Sequence, residues 1–447
     1  MHANVASTPH LRRIGTLLSI GAVAAILFAT LRPDPGQPIA SHLCLICGPF
    51  GAVDSVLNVL LFAPLGVGLA LTGAHWNRSL VMACALSVAV ETAQLAFVPG
   101  RDATLGDVIT NTIGAALAFA LVRHTRSWLR PAPRTAAILA FAWCAVWLII
   151  QVVSSFAFAL SIPASTYFGQ IARELSNYDV FRGRVVSASL DNVVVTDTRL
   201  DAGDSIAQRL RGGGIVAAAV VPAGLTVGIA PIVRVADSEQ REIALLAQDG
   251  ERLLYAVRTG SAIVRLRPPL FAMRGVFTPI ATKTRASGHG ALVLGATYDG
   301  REARLTTQRG SESHYSRISV SSSLGWTLIL PFQWYIENTN AERVVSWIWL
   351  AALMLPVGYW GAKIARSSDP RDDVPLRVVC LLGIAAVMIA GLGLVRYAFG
   401  SPAAPFRDWL GMSSGIVIGV CFAMKSGGMF AYETAVGART RTPIGFF

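Results

Sequence analysis

The chain has 447 residues, 53% of them hydrophobic and only 14% charged, and its mean hydropathy is +0.54. Soluble globular domains carry about 25% charged residues, so a wholly soluble fold is excluded and an integral membrane protein with one extramembrane domain is implied. The net charge of +12 is not a nucleic-acid signature, because the basic residues gather between apolar runs, where they orient a membrane protein.

A spanning helix takes about 20 mostly apolar residues. The first such run, Ile14 to Leu31, follows Arg12 and Arg13. It is long for the core of a cleaved signal peptide and has no small-x-small cleavage site behind it, so a retained span is expected. Cys44-Leu-Ile-Cys47 comes next. A lone C-x-x-C allows a local disulfide, two free thiols or half of a metal site. With no second pair and no spaced histidines, metal ranks last and no metal ligands or cofactor are assigned. Further spans are expected near Ser55–Leu71, Ser79–Val98, Asp107–Val122 and Thr135–Leu160. Pro64 inside the second of these removes a backbone donor and is expected to kink it.

From Ser161 onward the apolar residues fall into short runs separated by Gly and Asp-Gly breaks. Examples are Arg184–Leu190, Val193–Val195, Leu225–Val233, Ile243–Leu246, Leu253–Val257, Ile263–Leu266, Leu292–Tyr298 and Arg304–Thr307. Turn signals at Asp249-Gly250 and Asp299-Gly300 support a series of short strands, hence a β-sandwich. Gly325–Ile336 is aromatic and too short to span; an interfacial segment or a last strand is expected there. Three more spans follow, near Val344–Ile364, Leu376–Leu394 and Trp409–Met424.

The fold class expected is therefore an all-α membrane protein of about eight transmembrane helices with an extracytoplasmic all-β sandwich. The boundaries are 1–160 for a five-span helical part, 161–336 for the sandwich and 337–447 for a three-span part with a short tail. Arg12 and Arg13, Arg78, the Arg123–Arg134 group, Lys363–Arg377, and Lys425 with Arg439 and Arg441 all fall on one side of such a chain. The positive-inside rule then puts both termini in the cytoplasm and the sandwich outside.

One stretch carries polar residues in the wrong solvent. Asp54 and Asn58 lie on the second span, Glu91 and Gln94 on the third, Arg101 in the following loop, and Asp107 and Asn111 on the fourth. Asp54 and Asn58 share a helix face at i,i+4, as do Asp107 and Asn111. Topology sets all of them in the outer leaflet or just above it, with Glu91 about 10 Å below the helix end. Ionisable groups within spans mark functional sites, so these seven residues are the ligand or polar-pocket candidates. The bland alternative is a polar network that fixes helix register. No catalytic residue is assigned. In the sandwich, Asp299, Glu302, Glu312, Glu239, Glu242 and Asp249 form no tight carboxylate cluster, which leaves a glycosidase without its paired acids.

The pattern Asp54-Ser-Val-Leu-Asn58-Val-Leu-Leu-Phe62-Ala-Pro64-Leu-Gly66, with Glu91-Thr-Ala-Gln94, Arg101 and Asp107-Val-Ile-Thr-Asn111-Thr-Ile-Gly114, resembles the VanZ-like membrane family over roughly Leu17 to Arg123. That family takes its name from a protein linked to low-level teicoplanin resistance, and the resemblance implies no particular biochemical activity. Leu225-Thr-Val-Gly-Ile-Ala and Ala296-Thr-Tyr-Asp-Gly300 resemble laminin-G-like or concanavalin-like jelly rolls, folds that often bind glycans. Together they imply a protein of the bacterial inner membrane, in contact with membrane lipids, that binds or senses an envelope glycan, a lipid-linked precursor or a glycopeptide antibiotic. The alternatives are a transporter or enzyme acting on a lipid-linked substrate, and a scaffold that recruits a partner through the sandwich.

Overall fold

A computed structural model describes residues 8–33, 44–99, 103–175, 178–200, 203–278, 291–366 and 374–439, with backbone alone at 375–376 and 426–439. Thr8 starts α1 (Pro9–Thr30): its hydroxyl accepts the Leu11 N–H, and Pro9, with no N–H to lose, sits in the first turn. α2 (Gly51–Thr72) continues through Pro64 and stops at Gly73, whose φ of 82° suits a glycine. α3 (Trp76–Phe97), α4 (Leu105–Arg123), the short α5 (Thr125–Leu129) and α6 (Pro133–Phe158) follow.

The middle of the chain is β structure with one amphipathic helix, α7 (Gly203–Arg211), that the sequence reading did not foresee. The strands are β1 (Tyr167–Ile171), β2 (Gly183–Leu190), β3 (Val193–Val194), β4 (Arg199–Leu200), β5 (Val216–Pro222), β6 (Ala230–Asp237), β7 (Glu242–Asp249), β8 (Arg252–Val257), β9 (Leu270–Met273), β10 (Leu292–Tyr298), β11 (Glu302–Arg309), β12 (Glu312–Ser319) and β13 (Tyr335–Ile336). They form a seven-stranded sheet, ordered β13-β9-β8-β7-β6-β1-β4, and a six-stranded sheet, ordered β12-β11-β10-β5-β2-β3. Every pairing is antiparallel except β13 with β9. Phe271 of β9 meets Tyr298 of β10 at 4.8 Å between ring centroids, so the sheets face each other through aromatic side chains. The opposite face of the seven-stranded sheet is also covered: Leu245, Leu254 and Leu270 form a second small core with Tyr178 and Tyr335. This double cover explains why β6 is buried at every position.

Gly250 and Gly300 take positive φ at the two Asp-Gly turns, as those signals require. Ile263–Leu266, expected as a strand, is not one. After the 3-10 turn Gly260–Ala262 its amides bond back, Val264 to the Gly260 carbonyl and Leu266 to that of Ser261. Local carbonyls capture the run, and it leaves the sheet.

The last helices are α8 (Asn340–Ala365), α9 (Val374–Leu392), α10 (Leu394–Ala398) and α11 (Phe406–Arg439). Thr339 and Glu342 close a capping box on α8. Among the described residues seven helical stretches are long and apolar enough to cross a membrane: α1, α2, α3, α4, α6, α8 and Arg377–Ala398. The remaining expected span, Trp409–Met424, lies inside α11, which is not one of the seven.

The chain forms two compact units, one of residues 1–125, 157–319 and 327–337, the other of 126–156, 320–326 and 338–447. Most of α6 therefore belongs with the C-terminal helices rather than with α1–α4. In the second unit the Trp143 indole donates to the Leu353 carbonyl at 2.7 Å, and Ser322 donates to the Gln151 side-chain oxygen at 2.6 Å. A methyl group on Gly358 or Gly415 would run into the backbone of the facing helix, so α8 and α11 pack backbone to backbone. Arg396 donates to Asp408 at 2.7 Å with both side chains almost wholly buried. Asp408→Ala leaves that cation without its counter-charge and is expected to cost about 3–5 kcal/mol, while Arg396→Met with Asp408→Leu recovers most of the loss. Unfolding of the detergent-solubilised variants reads this directly.

Candidate functional site

α3 is inverted relative to a soluble amphipathic helix. Ser79, Ala83, Ser87, Glu91 and Gln94 are buried along one stripe, whereas Val81, Met82, Val88, Leu95 and Phe97 are exposed. Spacings of three and four residues put the stripe on one face, and polar residues on it meet other helices rather than lipid.

The fold sets those helices close. A methyl on Gly66 would strike the Ala115 carbonyl and one on Gly114 the Val59 carbonyl, so α2 and α4 cross with backbones touching. At that spacing the Asn58 amide reaches α4, donating to Asp107 Oδ1 at 2.7 Å and to Thr110 Oγ1 at 3.5 Å. Thr104 caps α4, its hydroxyl accepting the Asp107 N–H at 3.1 Å. The Thr104 N–H in turn donates to Glu91 Oε2 at 2.9 Å. Asn111 donates to Ser87 at 2.9 Å, and Gln94 donates to the Thr30 carbonyl at the end of α1 at 2.9 Å. Five of the seven candidates thus form one polar layer linking four helices at a common end. Within that layer Gln94 Oε1 and Asn111 Oδ1 are buried acceptors with no partner among the described residues.

Asp54 is not one of those five. It is exposed in the first turn of α2, within electrostatic reach of Arg267. Burial draws the Arg267 pKa down and the Asp54 charge pushes it up. Arg101, the seventh candidate, lies outside the described residues. Among the described residues no three His, Cys, Asp or Glu side chains converge as a metal site.

Cys44 and Cys47 are joined in a disulfide, Cα to Cα 5.7 Å. Their turn is a junction. The Cys44 carbonyl accepts the Gly106 N–H of α4 at 3.1 Å, and the Ile46 carbonyl accepts from the Arg265 guanidinium. The Ala52 N–H of α2 donates to the Arg265 carbonyl at 3.3 Å. Arg267 lies over the Phe50 ring at 5.0 Å. It is held by the Leu330 and Pro331 carbonyls at 2.6 and 2.8 Å. The run misread as a strand is therefore the arm by which the β region grips the mouth of the helices.

Sequence reasoning missed Ser87, Thr104, Thr110, Arg265 and Arg267. Thr104-x-x-Asp107 is a helix-start signature that was there to be used. Nothing local in Arg265-Leu-Arg267 announces a contact with residues more than 200 positions away.

A second feature lies on the outer face of the six-stranded sheet, an open groove of about 530 Å³. Register places Ala217, Gly295, Thr306 and Tyr315 in one row across β5, β10, β11 and β12, with Arg304 beside Arg317 in the next. Ala and Gly are poor strand residues, and here they keep the floor low. Tyr315, 73% exposed, forms a wall with Arg317 packed 5.6 Å from its ring centroid. Three of the six carboxylates weighed from the sequence are engaged by neighbours. Asp299 accepts two turn amides, Glu302 pairs with Arg304, and Glu242, its pKa raised by burial, accepts from the Tyr178 hydroxyl at 2.7 Å.

Residues 7–129 match the family model described as VanZ/LLP1. The N-terminal helices are a VanZ-like domain, and the polar candidates and both disulfide cysteines fall within it, while the β region has no family match. No curated protein and no solved structure matches the chain.

Glu91→Ala strands the Thr104 amide and loosens the first turn of α4, an expected cost of about 1–3 kcal/mol. Glu91→Gln keeps an acceptor oxygen and most of the stability. Melting temperatures of the two solubilised variants test this; equal losses would assign the stabilisation to the charge instead of the hydrogen bond.

Proposed function

We propose that this chain, a membrane protein with a VanZ-like domain, binds an envelope glycan in the groove of its β region and registers that occupancy in its helices. The ligand class includes free glycan strands, lipid-linked precursors and glycopeptides that present the same sugar chemistry. The observation that carries the reading is the Arg265–Arg267 arm. It makes the glycan-sized groove and the polar helical layer parts of one packed unit, so a ligand that shifts the β region works against the ends of α2 and α4. Tyr315 offers a sugar-stacking face and Arg304 and Arg317 offer donors to acidic groups. The VanZ-like domain links the chain to glycopeptide resistance.

Two observations support the expected orientation. The basic residues favour cytoplasmic termini in a bacterial inner membrane. The Cys44–Cys47 disulfide suits an oxidising compartment, and Arg265 holds the β region against that same turn. A second reading, a lipid-linked substrate handled within the helices, is favoured by Gln94 Oε1 and Asn111 Oδ1, buried acceptors without a partner among the described residues; it calls for Glu91-dependent flux in proteoliposomes.

The test uses full-length protein in nanodiscs and purified cell-wall glycan strands. Tyr315→Ala is expected to weaken binding at least about fivefold, as for a central aromatic contact. Arg265→Ala with Arg267→Ala leaves binding intact but removes any change in teicoplanin tolerance that the protein confers. Binding indifferent to Tyr315, Arg304 and Arg317 would sink the reading.

A further inference from the structure

The second unit contains a groove of about 410 Å³ between α8, α9 and α11, within the size range of small-molecule sites. Its origin is a difference in helix spacing. At Gly358 an added methyl would run into the Ile416 backbone, so α11 closes against α8 there. One turn on, at Gly361, the nearest atom to an added methyl is Leu381 Cδ2 at 3.9 Å, so α9 stands off and leaves the small side of α8 uncovered. The facing walls are apolar, with Leu381 and Met388 from α9 and Ile416 from α11.

One end is different. Arg366, which caps α8, is the one charged residue lining the groove among the described residues. Lys363 lies at the same end, donating at 3.3 Å to the carbonyl of Ala423, one turn beyond the groove residue Val420. A trough of apolar atoms on spanning helices, ending in clustered cations, fits one kind of occupant. That occupant has a hydrocarbon chain to exclude from water and an anionic group to set against the guanidinium.

We propose that this groove is a specific site for an anionic phospholipid. One acyl chain lies along Gly361 and Ala365 between α8 and α9, and the phosphate accepts hydrogen bonds from Arg366, with Lys363 at the same end. Arginine suits the task because its planar donor fork matches phosphate oxygens, and basic pockets between spanning helices recognise such headgroups. The site is separate from the sugar groove and from the α1–α4 layer, and it stands whether or not the glycan reading holds.

Native mass spectrometry of the full chain released from detergent tests it, using phosphatidylglycerol and phosphatidylcholine with identical acyl chains. Phosphatidylglycerol is expected to be retained about fivefold better, the contribution of one arginine near an anionic headgroup. Arg366→Gln should bring it down to the phosphatidylcholine level. Gly361→Leu fills the trough and should abolish retention of both; Ala385→Leu does the same from α9 if the first variant does not fold. Equal retention of the two lipids, a preference that survives Arg366→Gln, or tight lipid in a folded filled-groove variant would each overturn the assignment.

Discussion

A carboxyl group among spanning helices persists only where a donor meets it, and the backbone N–H of Thr104 is one such donor to Glu91. The bond fastens the end of α3 to the start of α4. The Thr104 hydroxyl then caps the same helix, and Asp107, held in its first turn, takes the Asn58 amide from α2. Each step depends on the one before, because side chains this short reach across only when backbones are already close. The glycines at 66 and 114 supply that closeness. Removing one member takes a hydrogen bond from its partner, at a cost that is greatest at the buried Glu91, Thr104 and Asn111.

The layer is also the floor beneath a second contact. The Cys44–Cys47 turn spends one carbonyl on α4 and another on Arg265. A short covalent loop thereby holds helix ends and β region in a common frame. Phe50 and Asp54, next along the chain, meet Arg267 through its π-face and its charge. The β region is thus keyed to the helices by two arginines on one arm.

Much of this was legible in advance, and the limits have physical causes. Apolar runs located α1–α4, α6, α8 and α9 to within a few residues, since a bilayer demands length and hydropathy that sequence displays openly. Asn58, Glu91, Gln94, Asp107 and Asn111 stood out because polar groups are rare in such runs. Their partners did not, because Ser87 and Thr104 are ordinary residues and the Thr30 acceptor is a backbone carbonyl. The strands β1, β4, β5, β9 and β12 went unforeseen: the first four pair mainly with strands well separated from them in sequence, and β12, though it is the return arm of a hairpin with β11, is mostly polar and exposed. Ile263–Leu266 misled for the converse reason, a strand-like composition overruled by carbonyls three to five residues upstream. The place of α6 was hidden too, because its partners lie beyond the entire β region.

That displacement of α6 governs how the chain is made. Trp143 finds its acceptor 210 residues further on, at Leu353. At about 5–20 residues per second of synthesis, α6 waits some 10–40 seconds in the bilayer before α8 exists to receive it. The β region must be completed within the same interval. Contacts of this separation fold slowly, and until they form, Gln151 lacks its Ser322 donor. The unfinished protein therefore carries a helix one hydrogen bond more polar than in the finished fold.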